Sequence, residues 1–306
     1  PEGHPLLRQR LYLNQGNGRF VKDTTALPPL SLQATCVAAG DYDTDGDIDL
    51  CIGTLNSPGK FGNTAAALML ANDGKGRFTV DKSFPAEPTG FITAAAFADL
   101  DKDGQPELIA AGEWMPVVVY KFRKGSWQRN PIAASRGLWQ SLEIADINGD
   151  GLMDILAGNW GANSKLACGK DGGLKMFTKD FDKNGREEQI VSYSIGGKDY
   201  TFLAKDELER ALPVLKKAYL TYREVAGETV QYLFYDLFKD YREWQCETLT
   251  STVFVQDKAG AFAGRLLPAA WQMAPVFAFA SFAGGKEPLT WAGGNFYGTV
   301  PYEGRY

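Results

Sequence analysis

Apolar residues in this chain fall in short runs, and many of the runs end at glycine. Val37-Ala-Ala-Gly40 and Asp154-Ile-Leu-Ala-Gly158 are typical. Runs of this length between turn residues predict β-strands. A second pattern pairs two strands across a glycine-rich hairpin. Leu11-Tyr-Leu-Asn14-Gln-Gly16-Asn-Gly18-Arg-Phe20 is matched by Leu68-Met-Leu-Ala-Asn72-Asp-Gly74-Lys-Gly76-Arg-Phe78. Weaker copies run from Val117 to Trp127 and from Val253 to Phe262. One region departs from this habit. Leu208, Leu212, Leu215 and Tyr219, then Val230, Leu233, Phe234, Leu237, Phe238 and Tyr241, recur at helical spacing. Pro213 interrupts the first set. These positions predict a helical insertion over 205–243 whose apolar stripe faces a core. Strand-like sequence resumes over 249–306.

Between the strands the polar residues also repeat. Four nine-residue segments place an acid or amide at positions 1, 3, 5 and 9 and glycine at position 6. They are Asp41-Tyr-Asp43-Thr-Asp45-Gly46-Asp47-Ile-Asp49, Asp99-Leu-Asp101-Lys-Asp103-Gly104-Gln105-Pro-Glu107, Asp146-Ile-Asn148-Gly-Asp150-Gly151-Leu152-Met-Asp154 and Asp180-Phe-Asp182-Lys-Asn184-Gly185-Arg186-Glu-Glu188. Oxygen ligands on alternate residues, folded back at a glycine, make a cage for a hard cation. Glycine at position 6 suits a reversal with positive φ. Position 7 holds Asp47, Gln105, Leu152 and Arg186, so its shared donor is the main-chain carbonyl. Position 2 is always apolar (Tyr42, Leu100, Ile147 and Phe181) and is expected to point into a core.

A helix–loop–helix calcium site needs a bidentate glutamate at position 12. Here that position is Ile52, Ala110, Ala157 and Val191, and the flanks read as strands. The loops therefore join β-strands. A flexible cage made wholly of protein oxygens favours Ca²⁺ over Mg²⁺, with up to four ions expected.

The first three loops start 58 and 47 residues apart, a period that fits a four-stranded unit. Such units bury both faces only by stacking, which predicts an all-β fold, a β-propeller. The next spacing, 34 residues, is too short for a full unit and marks an atypical blade near 160–200. The expected organisation is blades with four calcium loops over 1–204, the helical insertion over 205–243, and further blade sequence over 244–306. The stretch 279–294 keeps the glycines and following strand of a loop unit but has lost the acids, so a blade without metal is expected there.

Composition adds exclusions. The formal net charge is −5, and four divalent ions would more than offset it, so the acidity belongs to the loops. Lys and Arg are scattered, with no basic run for nucleic acid. No apolar stretch reaches the 18 residues of a membrane span, and the Pro1-Glu-Gly-His4 start shows no signal-peptide pattern. Cys36, Cys51, Cys168 and Cys246 lack metal-type spacing and are read as free. A symmetric hairpin about Asp45 would place Cys36 opposite Thr54. Calcium sites of modest affinity fill where calcium is millimolar, which favours an extracytoplasmic location.

The loops and the apolar runs after them, as in Gly40-Asp41 through Cys51-Ile-Gly53, resemble the FG-GAP repeats of the integrin-α propeller. Gly112-Glu-Trp-Met-Pro116, Gly158-Asn-Trp-Gly-Ala-Asn163, Leu267-Pro and Gly294-Asn-Phe-Tyr-Gly298 extend the likeness. Together they resemble bacterial VCBS/FG-GAP surface proteins related to cartilage acidic protein. The resemblance implies a seven-bladed propeller, or an incomplete part of one, with calcium on one face and display at the cell surface or outer membrane.

Strand length separates the loops from a second group of residues. Five strand residues cover roughly 17 Å, which puts Glu113, Trp114, Asn159, Trp160, Asn295 and Phe296 near the end opposite the metal. Trp139 is a further candidate. Tryptophan beside amide and acid groups suits a glycan or peptide ligand, although the same aromatics would also wedge adjacent blades. The single histidine, His4, leaves no Ser-His-Asp set, and no phosphate loop or zinc motif is present. The expected function is a non-enzymatic binding module for protein or glycan. The alternatives are a calcium-dependent polysaccharide lyase and a structural subunit of a surface complex.

Overall fold

The computed structural model describes residues 4–57, 62–64, 66–85, 90–164, 166–168, 172–282 and 289–295. Strands β1 (Leu11–Asn14) and β2 (Phe20–Asp23) form a lone hairpin. A first four-stranded meander follows, with β3 (Ala34–Gly40), β4 (Asp49–Thr54), β5 (Leu68–Asn72) and β6 (Phe78–Val80). The second contains β7 (Phe91–Ala98), β8 (Glu107–Met115), β9 (Val118–Arg123) and β10 (Ser126–Pro131). The short β11 (Gly137–Leu138) adds to the far end of β8.

The third sheet is split in sequence. β12 (Ser141–Ala145) and β13 (Asp154–Gly158) pair as a hairpin, and β13 then pairs with β18 (Thr252–Gln256), beside β19 (Phe262–Leu266). Residues 159–251 lie between the two halves. They build their own antiparallel sheet from β14 (Leu174–Lys179), β15 (Glu188–Ile195), β16 (Lys198–Thr201) and β17 (Arg242–Cys246), in the order β16-β15-β14-β17. Helices α1 (Lys205–Ala211), α2 (Leu215–Ala218) and α3 (Val230–Phe234) connect β16 to β17. Pro213 falls in the break between α1 and α2. A last hairpin pairs β20 (Ala278–Phe282) with β21 (Leu289–Gly293).

The first strands of successive sheets are neighbours: β3 packs beside β7, β7 beside β12, and β12 beside β20. This is a β-propeller-like arrangement, and no sheet among the described residues closes on itself. Each second strand is sandwiched between adjacent sheets. Every residue of β13 is buried, as is all but one of β8. Burial on both faces explains why these strands read as continuous apolar runs. Met69, Leu108 and Tyr120 fill the gap between the first and second sheets. Ile109, Trp139, Ile155 and Phe254 fill the next gap. The helices cover one face of the inserted sheet, where Leu208, Leu215, Val230 and Phe234 meet Phe177 and Ile190.

A repeated polar stitch joins the sheets. Thr35 on β3 donates its hydroxyl to the Ile92 carbonyl at 2.5 Å, Thr93 on β7 to Trp139 at 2.7 Å, and Ser141 on β12 to Val276 at 2.7 Å. The three donors sit at like places on successive first strands. Close approach is also needed where β3 meets β7, since a Cβ at Gly40 would strike the Phe97 ring. The hairpin around the first loop closes Gly40 onto Asp49 and carries a bulge. Because Gly40 pairs with Asp49, Cys36 faces Gly53 rather than Thr54, and the bulge comes only beyond it, between Ala34 and Cys36.

Candidate functional site

All four acidic segments fold into the same loop, each joining two antiparallel strands (β3–β4, β7–β8, β12–β13 and β14–β15). The position 1 carboxylate accepts the main-chain N–H groups of positions 5 and 6. For Asp41 these are Asp45 and Gly46, at 3.1 and 3.0 Å; for Asp99, Asp103 and Gly104, at 3.1 and 2.9 Å. Asp146 and Asp180 do the same. The position 5 oxygen of Asp45, Asp103, Asp150 or Asn184 accepts from the N–H of position 7, which is Asp47, Gln105, Leu152 or Arg186. Two residues per loop are left-handed. Position 6 is glycine each time, with φ of 94°, 87°, 86° and 86°. Position 4, held by Thr44, Lys102, Gly149 and Lys183, also has positive φ, which the sequence pattern does not signal in the three non-glycine cases.

Position 9 is the hub. Asp49, Glu107, Asp154 and Glu188 each accept the N–H of position 2, at 3.3, 2.9, 3.1 and 2.9 Å. The two aspartates also accept an N–H from the third strand of their sheet, Asp49 from Asn72 and Asp154 from Gln256, both at 2.9 Å. All four are buried. Burial pushes their carboxyls above the usual range, that of Asp49 to about 6. The position 2 side chains anchor the loops in four different cores, through Tyr42, Leu100, Ile147 and Phe181.

The donor sets of the first, third and fourth loops fit a calcium ion. Oxygens across a Ca²⁺ ion lie at most about 5 Å apart. Ligand atoms of Asp41, Asp43 and Asp45 lie within 4.8 Å of one another, as do those of Asp180, Asp182 and Glu188. The third loop carries the same kinds of donor, Asp146, Asn148, Asp150 and Asp154, and closes with the same main-chain hydrogen bonds. In the first loop, Asp47 keeps a buried Oδ1 with no hydrogen-bond partner. Asp43 is pushed up by burial and then by the charge of Asp45, as expected for carboxylates crowded around one point.

The second loop differs. Asp99, Asp101 and Glu107 also converge within 4.8 Å, but side-chain cations already engage that group. Arg123 Nη2 lies 3.3 Å from Asp101, 2.6 Å from Asp103 and 2.8 Å from Glu107. Lys121 Nζ lies 2.7 Å from Asp101 and 3.6 Å from Glu107. Burial would raise the Asp101 carboxyl, yet Lys121 and Arg123 outweigh it and hold it below the usual range.

At the opposite ends of the strands the predicted ligand residues separate into two groups. Trp139 and Asn159 are fully buried, so a ligand cannot reach them. Trp139 donates its indole N–H to Ser135 and packs against Phe254. Asn159 is a bracket: its Oδ1 accepts from Leu138 and Trp160, and its Nδ2 donates to Thr248. Trp160 packs into the core shared by β8 and the inserted sheet. Glu113 accepts from Gln140 at 3.0 Å, and burial raises its carboxyl. Asn295 is exposed, and Phe296 lies outside the described residues.

Trp114 is the exception. Gly137 pairs with Met115 and Leu138 with Glu113, which leaves Trp114 in a bulge with φ of 59°. A bulky residue at positive φ is strained, and bulges re-aim side chains beside functional sites. Trp114 is itself buried, at 7% exposure, but its edge borders a cleft of about 430 Å³ that also involves Arg129, Arg136, Glu243, Trp244 and Gln245. One wall is β8 and β10, and the other is β17 of the inserted sheet. The Trp244 ring is 5.2 Å from Phe91, and its indole N–H has no hydrogen-bond partner among the described residues. Sequence reading found Trp114 through its strand position. It missed Trp244, because nothing local shows that β17 returns to the edge of β14.

No helix among the described residues is long and apolar enough to cross a membrane. A search of curated proteins found no match. Among solved structures, the chain is similar to that of an Agrocybe aegerita lectin whose structural report concerns recognition of non-reducing terminal N-acetylglucosamine. That match has 16% identity and a TM-score of 0.32 and covers 92% of this chain and 79% of the other; a likeness this weak carries nothing about ligand. The FG-GAP-like repeat model matches residues 8–52 and 99–157, ranges that contain the first three loops entirely and leave the fourth outside. Over those two stretches the chain carries FG-GAP-like repeats.

Proposed function

We propose that this protein is a non-enzymatic binding module that acts outside the cytoplasm, is stabilised by calcium in its acidic loops, and holds a glycan in the cleft between β8, β10 and β17. The observation that carries this reading is the cleft itself. Trp244 supplies apolar surface for a sugar ring, with the edge of the largely buried Trp114 beside it, and Arg129, Arg136, Glu243 and Gln245 supply directional donors and acceptors around it. Opposite charges are mixed there, with Arg136 beside Glu247 at 3.9 Å, which suits a hydroxyl-rich neutral ligand better than a highly charged one. The strained backbone at Trp114 fixes one aromatic in advance of binding.

Calcium has an indirect part in this reading. The loops sit at the start of β8 and the cleft at its end, about 20 Å away along the strand. Residues of the first, third and fourth loops would hold the ions, which would fix the strand ends without touching the ligand. The lone histidine, His4, lies far from the cleft in sequence, consistent with binding rather than turnover.

A glycan array probed with the calcium-loaded protein tests the proposal. Binding to a defined glycan class is expected, weakened at least tenfold by Trp244→Ala and by Arg136→Ala, with folding checked by circular dichroism. Binding indifferent to both substitutions would place the ligand elsewhere. Unsaturated product appearing from uronic-acid polymers would replace the binding reading with lyase chemistry.

A further inference from the structure

Three of the four acids of the second loop, Asp101, Asp103 and Glu107, are paired with cations from within the protein. The same places in the other sheets provide the comparison. Leu108 of β8 pairs with Tyr120 of β9, Leu50 of β4 with Leu70 of β5, and Ile155 of β13 with Phe254 of β18. One and three residues beyond those partners stand Lys121 and Arg123 in the second sheet, but Ala71 and Asp73 in the first and Val255 and Asp257 in the third. In the inserted sheet β16 pairs with β15 only from Ser192 onward, away from Glu188. Among the described residues, the second loop alone has Lys or Arg side chains paired to its ligand positions.

We infer that Arg123 and Lys121 are a tethered counter-cation that occupies the role of calcium in the second loop. The guanidinium touches the acids at positions 3, 5 and 9 of that loop at once. A divalent ion entering the cage would have to displace it and would sit beside Lys121, whose ammonium is held by the same two carboxylates, Asp101 and Glu107. The guanidinium also spans to its neighbours. Arg123 Nη1 donates to Gln105 Oε1 at 3.0 Å, and Gln105 Nε2 donates to the Tyr42 carbonyl of the first loop at 2.8 Å. The junction between the first two loops is therefore held without metal. A chain built this way keeps one junction closed when calcium falls, while the other loops depend on the ion. This inference rests on the calcium reading of those other loops.

Ion counting tests it. Bound calcium per chain is measured by native mass spectrometry at saturating free calcium, in the wild type, Asp99→Asn/Asp101→Asn and Arg123→Gln/Lys121→Gln. Removing the two acids is expected to leave the wild-type count unchanged. Removing the two cations is expected to add one ion, which disappears again when Asp99→Asn is combined with them. A count that falls by one in the acid variant, or fails to rise in the cation variant, overturns the inference. A wild type that binds no calcium would end the calcium reading of the other loops, whereas a gain of one ion on removing the cations would still support the tethered cation. The acid variant keeps the question answerable if the cation variant does not fold.

Discussion

Asp154 offers the sharpest separation between what the loop does by hydrogen bonding and what it does with metal. It is fully buried, and its two oxygens accept the N–H of Ile147 at 3.1 Å and of Gln256 at 2.9 Å. The first bond closes the loop; the second ties it to β18, more than 90 residues later in the chain. Asp154→Ala leaves both N–H groups without a partner, at about 1–3 kcal/mol each. In chelator the loss should therefore be roughly 2–5 kcal/mol, or about 5–12 °C in Tm. Asp154→Asn keeps one acceptor and should lose about half as much. With calcium at a hundredfold excess over Kd, the wild type gains about 2.7 kcal/mol per filled loop. Asp154→Ala forfeits that gain at the third loop because it supplies no ligand oxygen, and Asp154→Asn forfeits part of it because it removes a charge from the cage. Differential scanning calorimetry of the three proteins, with calcium and with chelator, reads all of these terms. Equal losses for Ala and Asn in chelator would refute the hydrogen-bond account. A loss no larger in calcium than in chelator would refute the metal account.

Other outcomes follow from the same geometry. Trp139→Ala removes the ring between the second and third sheets and its bond to Ser135, and should cost about 3–5 kcal/mol equally with and without calcium, measured by denaturant titration. For Asp49 in chelated protein, the folded pKa of about 6 stands above the ordinary 3.8 because of burial, so the protonated form favours the folded state. Its contribution is full below about pH 4 and is lost as pH rises through about 6, a fall of roughly 3 kcal/mol that calcium should abolish in a Tm-against-pH series. Thiol titration of the native protein should find Cys51 silent, since it is buried and burial raises its pKa, while unfolding should release all four thiols.

Much of the scaffold could be read along the chain. The loops repeat in sequence, and their glycines and apolar position 2 residues report directly on a turn and an anchor. The strands of the second and third sheets are continuous apolar runs because both faces are covered, so they too were visible. What could not be read was the pairing across long separations. Nothing near Gly158 says that β13 waits for Thr252, or that β17 returns to β14 after the helices. Trp244 was hidden for that reason. The hydroxyl stitch of Thr35, Thr93 and Ser141 was missed because such residues are common on strands. Trp139 and Asn159 look like a ligand pair in sequence, yet both are used up inside the fold. Trp114 differs from them only through the bulge opposite β11, a register shift that no local pattern announces.

The central claim is that the acidic loops are calcium fasteners for the face that carries the cleft. It is tested most directly by the melting temperature of the wild-type protein at millimolar calcium and in excess chelator, with metal removal verified by elemental analysis. With three loops filled and each ion at a hundredfold excess over Kd, the stabilisation is roughly 8 kcal/mol, so the account expects Tm to fall by well over 10 °C on chelation. A melting temperature that does not change when the metal is gone would contradict it.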